Sequence, residues 1–575
     1  MLSFNYLKKN LKKSDDLCKV VRIAILADSA SQMLTQAIKG YGIEHQVKYE
    51  VFEADYDQID RQIFDPSSEL YDFKPNLVIL FRSVERALKG FYKKDLEEKE
   101  HYASKEIDYV DSLYQTISTH LNAKVIINNF IEVDDAVFGH YASKVRSSFP
   151  YQVKKFNYLL NDLSQNRENL FVFNLSGLIM RVGYDSSFDP KMYVSADMVI
   201  SIEALPLVAK GIHDITQAIS GVFKKCIILD LDNTTWGGVI GDDGVEGIQI
   251  GQLGIGKVFT DFQLWVKELK KRGVILAVCS KNTEAIAKEP FIHHPDMVLR
   301  LEDIAVFVAN WETKVDNIRY IQSVLNIGFD SMVFLDDNPF EREMVKSGIP
   351  ELTVPDLPED PSEYLAFLRK CNLFETSSFT EEDEQRTKLY QEEAGRTILQ
   401  KSFQNEGEFL GSLEMKAVVA PFDKFSIPRV AQLSQRSNQF NLRTIRYSEA
   451  DIAHIAYSDE YDTLSFNLKD KFGDYGLISF VILKHVSREV LFIDSWIMSC
   501  RVLKRGMERF VLGAIVELAQ RRGFRRVVGE YIPTAKNGIV KDHYERLGFA
   551  RVEGCWELDL LTFDLKGLET FIERL

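Results

Sequence analysis

Cysteine is scarce in this chain, and positive charge is outnumbered. Only 6 of 575 residues are Cys, and none are spaced as Cys-x-x-Cys. That spacing excludes a disulfide framework and a structural zinc site, and it points to a reduced, cytoplasmic protein. Lys and Arg number 70 against 85 Asp and Glu, a formal net charge of −15. Such a balance argues against general binding to nucleic acid or to an anionic membrane. No uninterrupted apolar run approaches the roughly 18 residues a spanning helix needs, so no membrane partner is expected. The segment from Met1 to Asp16 carries basic residues without an apolar signal core after them. There are no internal repeats and no long low-complexity runs. What remains is an ordinary globular composition, 45% hydrophobic and 27% charged, on a chain too long for one core; three domains are expected.

Against this background one segment stands out. The apolar run Ile227-Ile228-Leu229 leads directly into Asp230-Leu231-Asp232-Asn233-Thr234-Thr235-Trp236. A short buried strand, Lys225 to Leu229, therefore ends in two carboxylates and a hydroxyl, and open α/β sheets bind ligands at the carboxyl ends of their strands. Two further candidate strands end alike. Val274 to Val278 runs into Cys279-Ser280-Lys281-Asn282, and Met332 to Leu335 into Asp336-Asp337-Asn338. Between them, Trp311-Glu312-Thr313-Lys314 opens a helical segment. If the three strands are parallel neighbours, four carboxylates, a hydroxyl and an amine share one rim. Two like charges about 4 Å apart repel by roughly 4 kcal/mol at an effective dielectric near 20. A hard divalent cation relieves this, and Mg²⁺ suits a few carboxylates plus phosphate oxygens. An Asp in such a place can attack phosphorus, and a second can act as general acid and base.

Asp230-x-Asp232-x-Thr234, Ser280, Lys314 and Asp336-Asp337, in that order, resemble the four motifs of the haloacid dehalogenase (HAD) superfamily of phosphotransferases. The resemblance implies that Asp230 is the nucleophile and Asp232 the acid/base. Thr234, Ser280 and Lys314 would bind phosphate. Asp230, Asp336 and Asp337 would hold Mg²⁺, with Asp232 contributing its backbone carbonyl. The strand-helix units between the motifs leave little chain for a large cap, so an open mouth and a bulky substrate are expected. The Gly-rich stretch Gly237 to Gly244 is expected to form a small hairpin flap, with Trp236 at its root in either a packing or a ligand-contact role.

Residues 21–210 alternate short strands with helical stretches, another doubly wound pattern. Arg22 to Leu26 ends at Ala27-Asp28-Ser29, and Lys124 to Ile127 ends at Asn128-Asn129. This resembles a degenerate SGNH-hydrolase-like domain. Its Gly is replaced by Ala27, and its Asp-x-x-His is missing, since His213-Asp214 has the wrong order. Ser29 is then either a nucleophile without its base or, with Asp28, a helix cap in a docking domain.

Residues 376–400 are acidic and read as a connector helix. Beyond them Gly476 to Leu483 and Glu489 to Met498 read as an antiparallel pair. A turn from Arg501 to Met507 follows, then a helix with Phe510, Val511, Ala514, Ile515 and Leu518 on its apolar face, and a strand from Arg525 to Tyr531. The pattern resembles a GNAT acyltransferase. In that family a loop cradles the acyl-CoA pyrophosphate at a helix N-terminus. Arg501 and Gly506 match it, while Lys504 stands where a Gly is usual. Tyr544 is either the family's general acid near the thiolate or a core Tyr.

Trp236 to Gly241, Cys279 to Asn282, Asp336 to Glu343 and Ser437 to Leu442 together resemble FkbH-like proteins, HAD subfamily IIIC. The expected architecture is an SGNH/flavodoxin-like α/β domain (1–215), a capless HAD-type Rossmann-like domain (216–375), the connector (376–400) and a GNAT-like α+β domain (401–575). The resemblance implies a Mg²⁺-dependent enzyme of polyketide-like biosynthesis. It would dephosphorylate an acyl phosphate of the 1,3-bisphosphoglycerate kind and load a glyceryl or similar group onto an acyl carrier protein. Acyl-CoA or carrier-borne phosphopantetheine would occupy the last domain. Cys279 would be either an acyl-bearing thiol or a small buried strand residue. The alternatives are a plain phosphatase on a small phosphate ester, an N-acyltransferase of surface sugars with a vestigial HAD module, and a non-catalytic carrier scaffold.

Overall fold

The computed structural model describes residues 2–15, 18–379, 405–437, 439–499, 502–534, 536–552, 554–564, 568 and 570–575, and within 380–404 only 390, 392, 396, 399 and 403. The chain divides into two compact units, Met1–Gln217 and Ala218–Leu575. The connector helix expected over 376–400 lies largely outside the described residues, and 376–379 are not helical.

The first unit is built on a parallel sheet of order β2-β1-β3-β4-β5. Its strands are β1 Lys19–Ala27, β2 Val47–Glu53, β3 Leu77–Phe81, β4 Lys124–Asn128 and β5 Leu170–Phe173. All five residues of β3 are buried, as a central strand covered on both faces requires. At the carboxyl end of β1, Ser29 is 3% exposed. Neither Asp28 nor Ser29 caps the next helix, Gln32–Glu44; its N-cap is Ser31, which makes no side-chain cap bond. Asp28 instead accepts the backbone N–H of Ser83 at 3.0 Å, just beyond β3. Burial pushes its carboxyl up to about 6 against the pull of Arg82.

His213 is engaged elsewhere in this unit. Its Nδ1 lies 2.9 Å from the Tyr49 hydroxyl, and its ring packs edge-on against Tyr41 and beside His45. Burial holds this imidazole neutral, down at about 3 from 6.5, with the charges of His45 and Lys210 acting the same way. The folded value lies below the unfolded one, so the stability it carries is complete above pH 6.5 and drains away as pH falls towards 3. Acidification to about pH 4.5 should therefore cost the chain roughly 2–3 kcal/mol through this group alone. His213→Gln keeps an acceptor for Tyr49 and cannot titrate. Its melting temperature should fall less than wild type's between about pH 7 and 4.5; equal falls would rule the imidazole out as the cause.

Among the described residues, the second unit holds two sheets. The first is parallel, of order β8-β7-β6-β9, with β6 Cys226–Leu229, β7 Ile275–Ser280, β8 Ile304–Ala309 and β9 Met332–Leu335. Strand β6 pairs in register with β7 on one side and β9 on the other, so the three acid- or Ser-tipped strands are parallel neighbours. Every residue of β6, β7 and β9 is buried.

The second sheet is mixed and eight-stranded, of order β15-β16-β14-β13-β12-β11-β10-β17. Its strands are β10 Met415–Ala420, β11 Tyr461–Asp470, β12 Gly473–His485, β13 Val490–Met498, β14 Arg526–Gly529, β15 Ala550–Val552, β16 Cys555–Asp559 and β17 Ile572–Arg574. The expected antiparallel pair is β12 with β13. The strand expected over 525–531 is shorter, because β13 pairs with β14 only from Val490 to Ile493. Beyond that point β13 turns to a different partner. Ile497 bridges Asn441, Met498 donates to the Phe440 carbonyl, and Ile532 donates to Leu442.

Candidate phosphoryl-transfer site

The loop after β6 is shaped by its own polar residues. Asn233 takes a left-handed φ of 54°, which Asn tolerates better than most residues. Its side chain accepts the Gly238 N–H at 3.0 Å, and Thr235 Oγ1 donates to the Asp230 carbonyl at 2.6 Å. The Gly-rich stretch is closed at its base by an antiparallel bridge between Gly237 and Gln249, but its body is a helix rather than a hairpin. Ile240–Gly247 is helical apart from Gly244 at φ 67°. The reason lies in its acids: Asp243 accepts the Val239 N–H at 2.7 Å and Asp232 accepts that of Ile240 at 3.0 Å. Carboxylates at a helix start satisfy donors that a hairpin would have paired across strands. Trp236 is fully buried, edge-on to Phe291 at 5.8 Å.

Lys314 is the first residue of the helix Lys314–Leu325, set there by the N-cap Thr313, whose hydroxyl accepts the Asp316 N–H. Its ammonium lies 3.1 Å from Asp230 Oδ1 and 2.5 Å from Asp336 Oδ2. Asp230, Asp336 and Asp337 each place a carboxylate oxygen within 4.8 Å of the others. Thr234 Oγ1 accepts the Asp337 N–H at 2.9 Å and lies 3.3 Å from its carboxylate. Arg342, which carries no expected role in the motif stretch that contains it, donates Nη1 to the carbonyls of both Asp336 and Asp337, at 2.8 and 2.6 Å. It is 7% exposed. Its advance signals are its place in the Asp336 to Glu343 stretch that resembles FkbH-like proteins and on the helix Pro339–Gly348 that Asn338 caps directly after the acidic pair.

The electrostatics follow from burial. Burial pushes the Asp230 carboxyl up to about 7, with Lys314 pulling it down and Asp336 pushing it up. Asp337 is raised by burial and by Asp336. For Lys314 burial works against the charge, but the Asp230 and Asp336 carboxylates outweigh it and hold the ammonium above its ordinary value. One ammonium against three clustered carboxylates leaves negative charge in excess, with oxygen ligands only. That donor set fits a hard divalent cation and not a soft one.

The carboxylate of Asp232 stands outside this group, bonded to Trp236, Ile240 and Asn282. Ser280 is 1% exposed at the end of β7, and its hydroxyl accepts from Asn282 at 3.2 Å. Cys279 is fully buried, among Ile228, Ala277 and Ile318 on one sheet face. Burial pushes its thiol well above the ordinary range. Two rim side chains are strongly exposed, Trp311 at 74% and Phe340 at 67%.

In the mixed sheet, Lys504 and Gly506 line a cavity of about 430 Å³ with Arg509, His543 and Arg546. Lys504 has φ 63°, the left-handed conformation that explains why Gly is usual there, and Gly506 has φ 79°. Arg501 and Asn438 lie outside the described residues. Tyr544 is 1% exposed, and its ring lies where a Cβ on Gly529 would stand. Burial raises its hydroxyl far above the ordinary value. It is not among the residues lining the cavity.

Residues 22–217 match the family model described as FkbH, N-terminal domain. The N-terminal part of protein BF1531 from Bacteroides fragilis is 50% identical over 66% of this chain and 100% of that one, with a TM-score of 0.64. The chain belongs to the family of BF1531. That solved structure contains a phosphatase domain and is complexed with Mg. The BF1531 match leaves about a third of the chain uncovered. The ribosomal-protein-S18-alanine N-acetyltransferase of Escherichia coli matches 25% of this chain and 94% of its own, at 18% identity and a TM-score of 0.20. Ard1 from Thermoplasma volcanium matches 25% and 97%, at 15% identity and a TM-score of 0.20. No curated protein matches the chain.

Proposed function

We propose that this protein is a Mg²⁺-dependent, HAD-type phosphotransferase that removes phosphate from a small acyl-phosphate metabolite and passes the acyl group to a carrier protein. The observation that carries the reading is the Asp230–Lys314–Asp336 contact beside Asp337 at the carboxyl end of β6. The Mg-bound relative supports the metal. A Mg²⁺ held by Asp230, Asp336 and Asp337 would supply charge neutralisation at the phosphoryl oxygens. Asp230 attacks the phosphorus of the substrate's phosphate ester, the bond to the alcohol oxygen breaks, an aspartyl-phosphate forms, and the acyl phosphate at the other end of the substrate stays intact for loading. Asp232 gives a proton to the leaving alcohol and then takes one from the water that releases phosphate. Lys314, Ser280 and Thr234 hold the phosphoryl oxygens.

Loading is a separate bond exchange. A thiolate attacks the acyl carbon of an acyl phosphate, and phosphate leaves. The thiol comes from the carrier's phosphopantetheine arm. The cavity beside Lys504, Gly506 and Arg509, at the start of the helix Met507–Arg522, offers that arm cationic groups and apolar walls. The test is incubation with Mg²⁺ and 1,3-bisphosphoglycerate, with and without a carrier protein. Phosphate release with a matching mass gain on the carrier is expected. Release without carrier acylation would leave the second reading, a plain phosphatase.

Because Cys279 packs in the core and its thiol is held protonated, it is assigned to packing. Cys279→Ala should keep phosphate release and any carrier loading within about twofold and cost roughly 1 kcal/mol of stability, the scale of a small cavity. A selective loss of loading, with phosphate release intact, would restore the thiol to the mechanism.

A further inference from the structure

Both oxygens of the Asp232 carboxylate are held by donors from other parts of the unit. Oδ1 accepts from Trp236 Nε1 and from the Ile240 N–H, each at 3.0 Å. Oδ2 accepts from Asn282 Nδ2 at 2.8 Å. The same amide nitrogen lies 3.2 Å from Ser280 Oγ. Nδ2 carries two hydrogens, one for each acceptor. Asn282 is 4% exposed, so neither bond is readily traded for water. One amide therefore joins the acid two residues past β6 to the hydroxyl that ends β7.

Resting on the phosphotransfer reading above, we propose that Asn282 is a positioning residue, setting the aim of Asp232 at the leaving-group oxygen and of Ser280 at the phosphoryl oxygens together. Without it, Asp232 keeps the two bonds on Oδ1 and loses the one that fixes Oδ2. The carboxylate stays in the site and turns about its remaining anchor. A misplacement on the order of 1 Å is enough to cost about 10²-fold.

The leaving group separates this role from a structural one. Departure of an alcohol requires the proton that Asp232 delivers; departure of p-nitrophenolate does not. In Asn282→Ala, kcat/KM should fall about 30-fold for glycerol phosphate but only about threefold for p-nitrophenyl phosphate, a partial loss of the roughly 10²–10⁴-fold that general acid catalysis supplies. Asn282→Asp is the same size and sets a like charge against Asp232. It should widen the gap between the two substrates and serves as well if the Ala variant folds poorly. Equal losses on both substrates in a folded variant overturn the inference and leave the phosphotransfer reading standing. A wild-type protein that with Mg²⁺ releases phosphate from neither of these substrates nor from 1,3-bisphosphoglycerate overturns that reading, and the inference with it.

Discussion

Asp230→Asn should abolish phosphate release, lowering kcat by about 10⁴-fold or more, the scale seen when a nucleophile is removed from a site that acts as a unit. An amide keeps the size of the carboxylate but cannot form the aspartyl-phosphate. The loss should not come from unfolding. Asp230 belongs to a crowded set in which its own carboxyl is raised to about 7 by burial, against the pull of Lys314, so removing its charge relieves the cost of burying it while Asp336 keeps Lys314 paired. The melting temperature without added metal should hold or rise while activity disappears. Added Mg²⁺ should stabilise the wild type, because a ligand bound only by the folded state adds about RT ln(1 + [Mg²⁺]/Kd). That increment should shrink in Asp230→Asn and more so in Asp336→Asn. Turnover above about a tenth of wild type in Asp230→Asn would remove this residue as the nucleophile.

The site was legible in the sequence to the extent that chemistry is written in contiguous residues. Asp230, Ser280, Lys314 and Asp336 each sit at an element boundary marked by an apolar run or a cap, so their gathering followed from the parallel order of β6, β7 and β9. What joins them was not visible. Asn282 reaches back to Asp232, fifty residues earlier, and Arg342 turns back to the carbonyls of Asp336 and Asp337; both lie in stretches that resemble FkbH-like proteins, but an Asn in a loop or an Arg on a helix carries no sign of its buried partner. The helix Ile240–Gly247 replaced an expected hairpin because two acids, Asp232 and Asp243, capture backbone donors, a tertiary effect that glycine content conceals. β8 was missed although Ile304–Ala309 is apolar, because no motif residue ends it. β15 and β17 are three residues each, below the length at which alternation can be read.

The same geometry assigns Lys314 a double role, and its loss should be the largest single effect on stability. The ammonium is 5% exposed and lies between Asp230 at 3.1 Å and Asp336 at 2.5 Å. Lys314→Met keeps the length of the side chain and deletes the charge. Two buried carboxylates then face each other without their shared partner, and breaking such a set by removing one member costs about 3–5 kcal/mol. Phosphate release should fall by about 10²–10³-fold, as when an electrostatic clamp on developing charge is removed. The two losses should respond differently to metal. Millimolar Mg²⁺ should return part of the stability, because a divalent cation among Asp230, Asp336 and Asp337 replaces the missing positive charge. It should not return the activity, because a metal at the carboxylates does not stand where the ammonium meets the phosphoryl oxygens. Thermal melts of Lys314→Met with Mg²⁺ and with EDTA, run beside phosphate release, decide the matter. A Mg²⁺ shift no larger than in wild type would show that the cation does not replace the lost ammonium, and no shift in either protein would remove the metal from this rim.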